Sequence, residues 1–71
     1  MAPHTFLIDN LVYNVWLKDY QEFLVMSGLG ICFTIHPYQN RNDIQWRLFK
    51  GKASKELVDK IGVAIENSNL L

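Results

Sequence analysis

The chain holds one cysteine, Cys32, in 71 residues. No intramolecular disulfide can form, which removes the staple most used by small secreted domains. A lone thiol and the lack of a basic-led apolar leader point to a reducing, cytoplasmic setting. Cys32 has no base near it in sequence and reads as a small buried or half-buried side chain. Soft metal ligands are equally scarce: His4, Cys32 and His36. On a strand, the Cα atoms of Cys32 and His36 would lie about 13 Å apart. One zinc ion with bonds of roughly 2.0–2.3 Å cannot bridge that distance. No metal and no cofactor are expected.

Long hydrophobic runs are also missing. Phe6 to Leu17 is broken by Asp9, Asn10 and Asn14 and is too short to cross a bilayer, so no membrane association is expected. Net charge is absent, with seven basic residues against seven acidic ones. There is no glycine-rich phosphate loop, no nucleophile elbow and no metalloprotease helix. The acid pairs Asp19/Glu22 and Glu56/Asp59 have the spacing of caps or solvated helix faces. His36 is the best candidate for proton chemistry, held extended by Pro37, but no acid is placed beside it. The chain is therefore not expected to be an enzyme. The alternative in that class is a small hydrolase or nuclease using His36.

What is present is apolar. Hydrophobic residues make up 49% of the chain and aromatic residues 13%, a globular composition. The length allows one small domain, residues 1–71. Folding a chain of this size hides about 60% of its surface. The apolar gain and the cost of ordering the chain then nearly cancel. Self-association would cover what stays exposed, so a homodimer is expected.

Two segments alternate apolar and polar residues, Ile31 to His36 and Ile44 to Leu48. A seven-residue polar link, Pro37 to Asp43, separates them. A period of two puts Ile31, Phe33, Ile35, Ile44, Trp46 and Leu48 on one face. Gly28-Leu29-Gly30 reads as a tight connector before this hairpin. Ser54 has the place of an N-cap, and Leu57, Val58, Ile61, Ala64 and Ile65 form the stripe of a last helix. Gly62 interrupts that stripe, which implies close packing against another element. Met1 to His4 reads as a loose lead-in.

Thr5 to Met26 supports two readings. As one helix, it gathers Ile8, Val12, Tyr13, Trp16, Tyr20, Phe23 and Leu24 on a broad face, with Gly28 as its stop. As strands, Phe6 to Leu17 is rich in Val, Ile, Tyr and Trp, with Asp9-Asn10 as a turn. Asp19-x-x-Glu22 would then cap a shorter helix from Tyr20. The first reading predicts an α+β fold in the order α-β-β-α. Two helices pack on one face of an antiparallel hairpin, which can extend to four strands across a dimer. The second predicts β-α-β-β-α.

The basic residues are unevenly placed. Arg47, Lys50, Lys52 and Lys55 fall in a stretch without an acid. Arg47 belongs on the polar face with Thr34, His36 and Gln45, and Phe49 shares its register. The leading expectation is a regulatory module that binds another protein through Tyr38, Arg41, Arg47 and Phe49. The alternative is a nucleic-acid binder using His36, Arg47, Lys50, Lys52 and Lys55. The segment Lys50-Gly51-Lys52-Ala53-Ser54-Lys55 is similar to the last strand-to-helix turn of double-stranded RNA-binding domains, where lysines at the helix start touch phosphates. The resemblance covers six residues of the 71. It implies an α-β-β-β-α order, of which two strands and the last helix are discernible here.

Overall fold

Asp9 and Asn10 both have positive φ, +51° and +66°. Two consecutive left-handed residues make the tight turn whose twist matches a β-hairpin. The segments on either side accordingly pair as strands: β1 (His4–Ile8) and β2 (Leu11–Leu17). Their register runs from His4 opposite Val15 to Ile8 opposite Leu11. β3 (Phe23–Ser27) follows, then β4 (Cys32–Asn40), β5 (Asp43–Gly51) and a single helix, α1 (Lys55–Asn67). The computed structural model describes residues 3–18 and 21–70. Its five strands form one antiparallel meander in the order β1-β2-β3-β4-β5.

Both expected architectures are corrected by this sheet. Residues 5–26 hold no α-helix among the described residues, so neither α-β-β-α nor β-α-β-β-α describes the fold. The four-stranded sheet across a dimer gives way to five strands within one chain. The resemblance to double-stranded RNA-binding domains fails for the same reason, because its first helix is replaced by strands. Residues 6–17 are strand, turn and strand, as their β-branched and aromatic content favours. The proposed cap on Asp19 and helix start at Tyr20 fall on residues outside the described ones, but Phe23–Ser27, the body of that helix, is β3. Nor is His4 part of a lead-in, since it opens β1. Gly28 stops no helix. It sits in the β3–β4 turn, closed by the Ser27 N–H donating to the Ile31 carbonyl at 2.9 Å.

The β4–β5 hairpin is longer than its alternating pattern suggests. Pro37 and Tyr38 stay in β4, and the turn shrinks to Arg41 and Asn42 between the pair Asn40 and Asp43. Each of these two strands has nine residues, whereas β3 has five and begins at Phe23, opposite Ile35. The end of the hairpin beyond His36 therefore extends past the rest of the sheet. One irregularity interrupts it. Ile35 faces Leu48 and Thr34 faces Lys50, leaving Phe49 without a partner.

One sheet face is covered by α1. Tyr13, Val15, Phe23, Val25, Phe33, Ile35 and Trp46 meet Val58, Ile61 and Ile65 in a shared core. Phe6, Ile8, Leu11, Ile44 and Leu70 pack around it. The Trp46 ring lies on Gly62, which has no side chain to hold it off. Its indole N–H donates to Glu66 Oε2 at 2.7 Å, and Phe23 meets its ring nearly edge-on at 5.5 Å. Asp9 in the β1–β2 turn is tied to α1 by Lys60 Nζ at 2.7 Å. Hydrogen bonds to Asp9 and then to Glu56 hold the Lys60 ammonium charged above its usual range. The helix starts where Ser54 Oγ accepts from the Leu57 N–H at 3.1 Å. Replacing Ser54 with alanine should cost about 1 kcal/mol in urea denaturation, the usual worth of an N-cap hydroxyl. An unchanged midpoint would mean that this cap contributes nothing.

Candidate binding face

Directly opposed residues in an antiparallel sheet point to the same side. The register therefore defines the face that α1 leaves open. Thr5 and Leu7 come from β1, and Val12, Asn14 and Trp16 from β2. β3 adds Leu24 and Met26, opposite Thr34 and Cys32 of β4. His36 and Tyr38 continue β4, opposite Arg47 and Gln45 of β5. Trp16, Leu24, Thr34 and Lys50 are paired in turn, so they form one transverse row over four strands.

Much of this face is apolar. Val12 is 50% exposed, Met26 40% and Phe49 47%. Thr34 is buried among its neighbours at 7% although no helix covers it. Cys32 is exposed on this face, which corrects the expectation of a buried or half-buried thiol. Among the described residues no group of three His, Cys, Asp or Glu side chains gathers to hold a metal. No helix among them is long and apolar enough to cross a membrane.

The β4–β5 side of the face carries an aromatic and cationic cluster. The Tyr38 hydroxyl and His36 Nε2 lie 3.1 Å apart, and their rings, tilted by 44°, have centroids 4.5 Å apart. Phe49 meets the other flank of His36 edge-on at 5.3 Å. The Arg47 guanidinium lies 4.4 Å above the Tyr38 ring, and Lys50 Nζ is 5.6 Å from the Phe49 ring. Such cation–ring contacts contribute about 0.5–1 kcal/mol at exposed sites, enough to bias where the cations sit. Arg47 also donates to Gln45 Oε1 at 3.3 Å. Phe49 reaches this cluster at the irregularity in β5, where it lacks a cross-strand partner.

The residues expected from sequence therefore divide. His36, Tyr38, Arg47, Phe49 and Lys50 come together. Arg41 sits at the hairpin turn with φ +39°, and Lys52 lies beyond the end of β5. Lys55 opens α1 and is held by Asp59 at 2.9 Å. The partners that sequence reasoning missed are Trp16, Leu24 and Met26. Their signal was alternation within Leu11–Leu17 and Phe23–Ser27, obscured because both faces of those strands are apolar. No protein-family model, curated protein or solved structure matches this chain.

Proposed function

We propose that this protein is a small, non-enzymatic regulatory module that binds another protein through the open face of its sheet. The observation that supports the reading is an uncovered face on which Leu7, Val12, Trp16, Leu24, Met26 and Phe49 are gathered. Five strands at about 4.8 Å spacing and some six residues of strand length give a footprint of about 400 Å². Only part of that area is apolar, since Thr5, Asn14, His36, Gln45 and Arg47 share the face. The footprint is about half of the roughly 800 Å² per partner typical of a stable complex. Self-association through this face is accordingly part of the proposal only as a weak homodimer. The five-stranded sheet also replaces the two-stranded hairpin that was expected to extend across a dimer.

The non-enzymatic part rests on how the acids are engaged. Asp9 and Glu56 hold Lys60, Asp59 holds Lys55, and Glu66 accepts from Trp46. His36 is next to a tyrosine hydroxyl, with no carboxylate bonded to its ring among the described residues. An accessible single thiol fits action in the reducing cytoplasm.

Capture of a binding protein from the source cell by parent and variants tests the reading. Met26→Glu should abolish a capture that resists nuclease and high salt. Val63→Glu, at an exposed apolar site on α1, should leave it intact. Equal capture by both variants would remove the open face as the working surface. A melting temperature that rises only at high protein concentration would mark the weak dimer.

Nucleic-acid binding is the second reading, supported by the cluster of His36, Tyr38, Phe49, Arg47 and Lys50. An exposed sheet with aromatic side chains and cations can stack bases and meet phosphates. The balance lies against it because Arg47 already covers a face of the Tyr38 ring, and because Lys55 is engaged with Asp59.

A further inference from the structure

Folding separates charges that cancel in the sequence. The helix side holds Asp9, Glu56, Asp59 and Glu66, with Lys55 and Lys60 bridging to three of them. On the open face the described acids lie at its ends: Asp43 at the far tip of the hairpin, and Glu22 just before β3, whose backbone carbonyl accepts from Lys18. Arg47 and Lys50 are on that face, and no carboxylate among the described residues lies within 4.0 Å of either. Their contacts are aromatic rings and the Gln45 amide oxygen. Among the described residues both cations are thus positioned without an anion.

We infer that the partner of this face is an acidic protein segment, with apolar side chains followed by Asp or Glu. The inference rests on the docking reading above and adds the partner's chemistry. The apolar side chains lie on Trp16, Leu24 and Met26, and the carboxylates meet Arg47 and Lys50. The transverse row sets the spacing. Trp16 and Lys50 are three strand intervals apart, about 14 Å. An extended chain advances about 3.3 Å per residue, so the carboxylate lies about four residues beyond the apolar anchor. That even separation puts anchor and carboxylate on the same side of an extended segment. A phosphate backbone fits less well. It would meet two unpaired cations at one edge, and it gains nothing from Leu7, Val12, Leu24 and Met26.

The experiment uses a short synthetic peptide alternating serine with Phe, Leu, Glu and Glu, and a twin with lysine in place of both glutamates. Cys32 provides the readout, because it is the one thiol, is exposed and lies opposite Met26 on this face. A bound peptide should slow its modification by a thiol reagent. The glutamate peptide should protect Cys32 at about tenfold lower concentration than its twin, the size expected of two charge pairs at a rim. Protection should weaken as salt rises. Arg47→Glu with Lys50→Glu, both at exposed sites, should invert the preference. Equal protection by the two peptides, unchanged in the double variant, would overturn the acidic partner while leaving the docking reading in place. Failure of the glutamate peptide to protect Cys32 would overturn it as well. Tighter protection by an oligothymidine strand would overturn it in favour of nucleic acid. Loss of the docking reading itself is recognised separately, by a Met26→Glu variant that still captures its partner.

Discussion

Replacing Gly62 with alanine should lower the melting temperature by about 8–16 °C, the shift that roughly 2 kcal/mol produces in a domain of this size. Helix propensity predicts the opposite sign. Alanine in a helix interior is better than glycine by about 1 kcal/mol. Packing outweighs that gain because a Cβ at Gly62 would overlap Cγ and Cδ1 of Trp46 and come within 2.6 Å of its Cδ2. The obstacle is the body of a buried indole, not the end of a flexible chain. The ring must shift, and its bond to Glu66 and its edge contact with Phe23 shift with it. Overpacking of this kind costs about 1–3 kcal/mol, and here the strand or the helix must also move. Thermal unfolding followed by circular dichroism checks the result. A variant that melts higher than the parent would show that α1 does not rest on Trp46 at this point.

Trp46→Ala should cost about 3–5 kcal/mol, the usual range for truncating a large buried aromatic. A protein of this length has a total stability of roughly 4–11 kcal/mol. The loss is therefore about a quarter of it or more, and at the lower end the variant would be largely unfolded without denaturant. Three contributions add. The space left beside Gly62 cannot close, since neither that residue nor the helix backbone can fill it. The edge-to-face contact with Phe23 is lost. Glu66, half-buried, is left without the indole N–H that it accepts. Urea denaturation should show the midpoint falling by about 1–5 M, that loss divided by the slope of about 1–3 kcal/mol/M typical of small domains. A loss below about 1 kcal/mol would mean that the indole is not a core element. Trp46→Phe, which keeps a ring and removes the N–H, should fall between parent and Trp46→Ala.

The hairpin and the last helix were legible for a local reason. In Ile31 to His36 and in Ile44 to Leu48 the apolar residues alternate with polar ones, so the period alone separates the side bearing Phe33 and Trp46 from the side bearing Thr34 and Arg47. Ser54 and the stripe at Val58, Ile61 and Ile65 lie within a few turns of each other and need no distant partner to be recognised. The interruption at Gly62 also carried its meaning, although not the identity of the residue that lies against it. Residues 5–26 were illegible because Tyr13 and Val15 face α1 while Val12 and Trp16 lie on the open face. A strand that is apolar on both sides loses its period, and a helical arc can be drawn through the same residues.

The candidate site divides in the same way. The alternating pattern of β5 assigned Arg47 and Phe49 to one side by itself. Their assembly with His36 and Tyr38 depended on cross-strand pairing and on the irregularity that leaves Phe49 unpaired. Lys55 belonged to the same basic run, yet it left the site because the helix turned it toward Asp59, four residues on. By itself the sequence determined the β4–β5 alternation, the helix start at Ser54 and the absence of a disulfide, since these follow from neighbouring residues and from composition. Only the tertiary structure decided that His4–Ile8, Leu11–Leu17 and Phe23–Ser27 are strands, that α1 covers one face, and that Arg47 and Lys50 lie on the other. Those outcomes depend on hydrogen bonds and packing between segments far apart in the chain, which no local pattern contains.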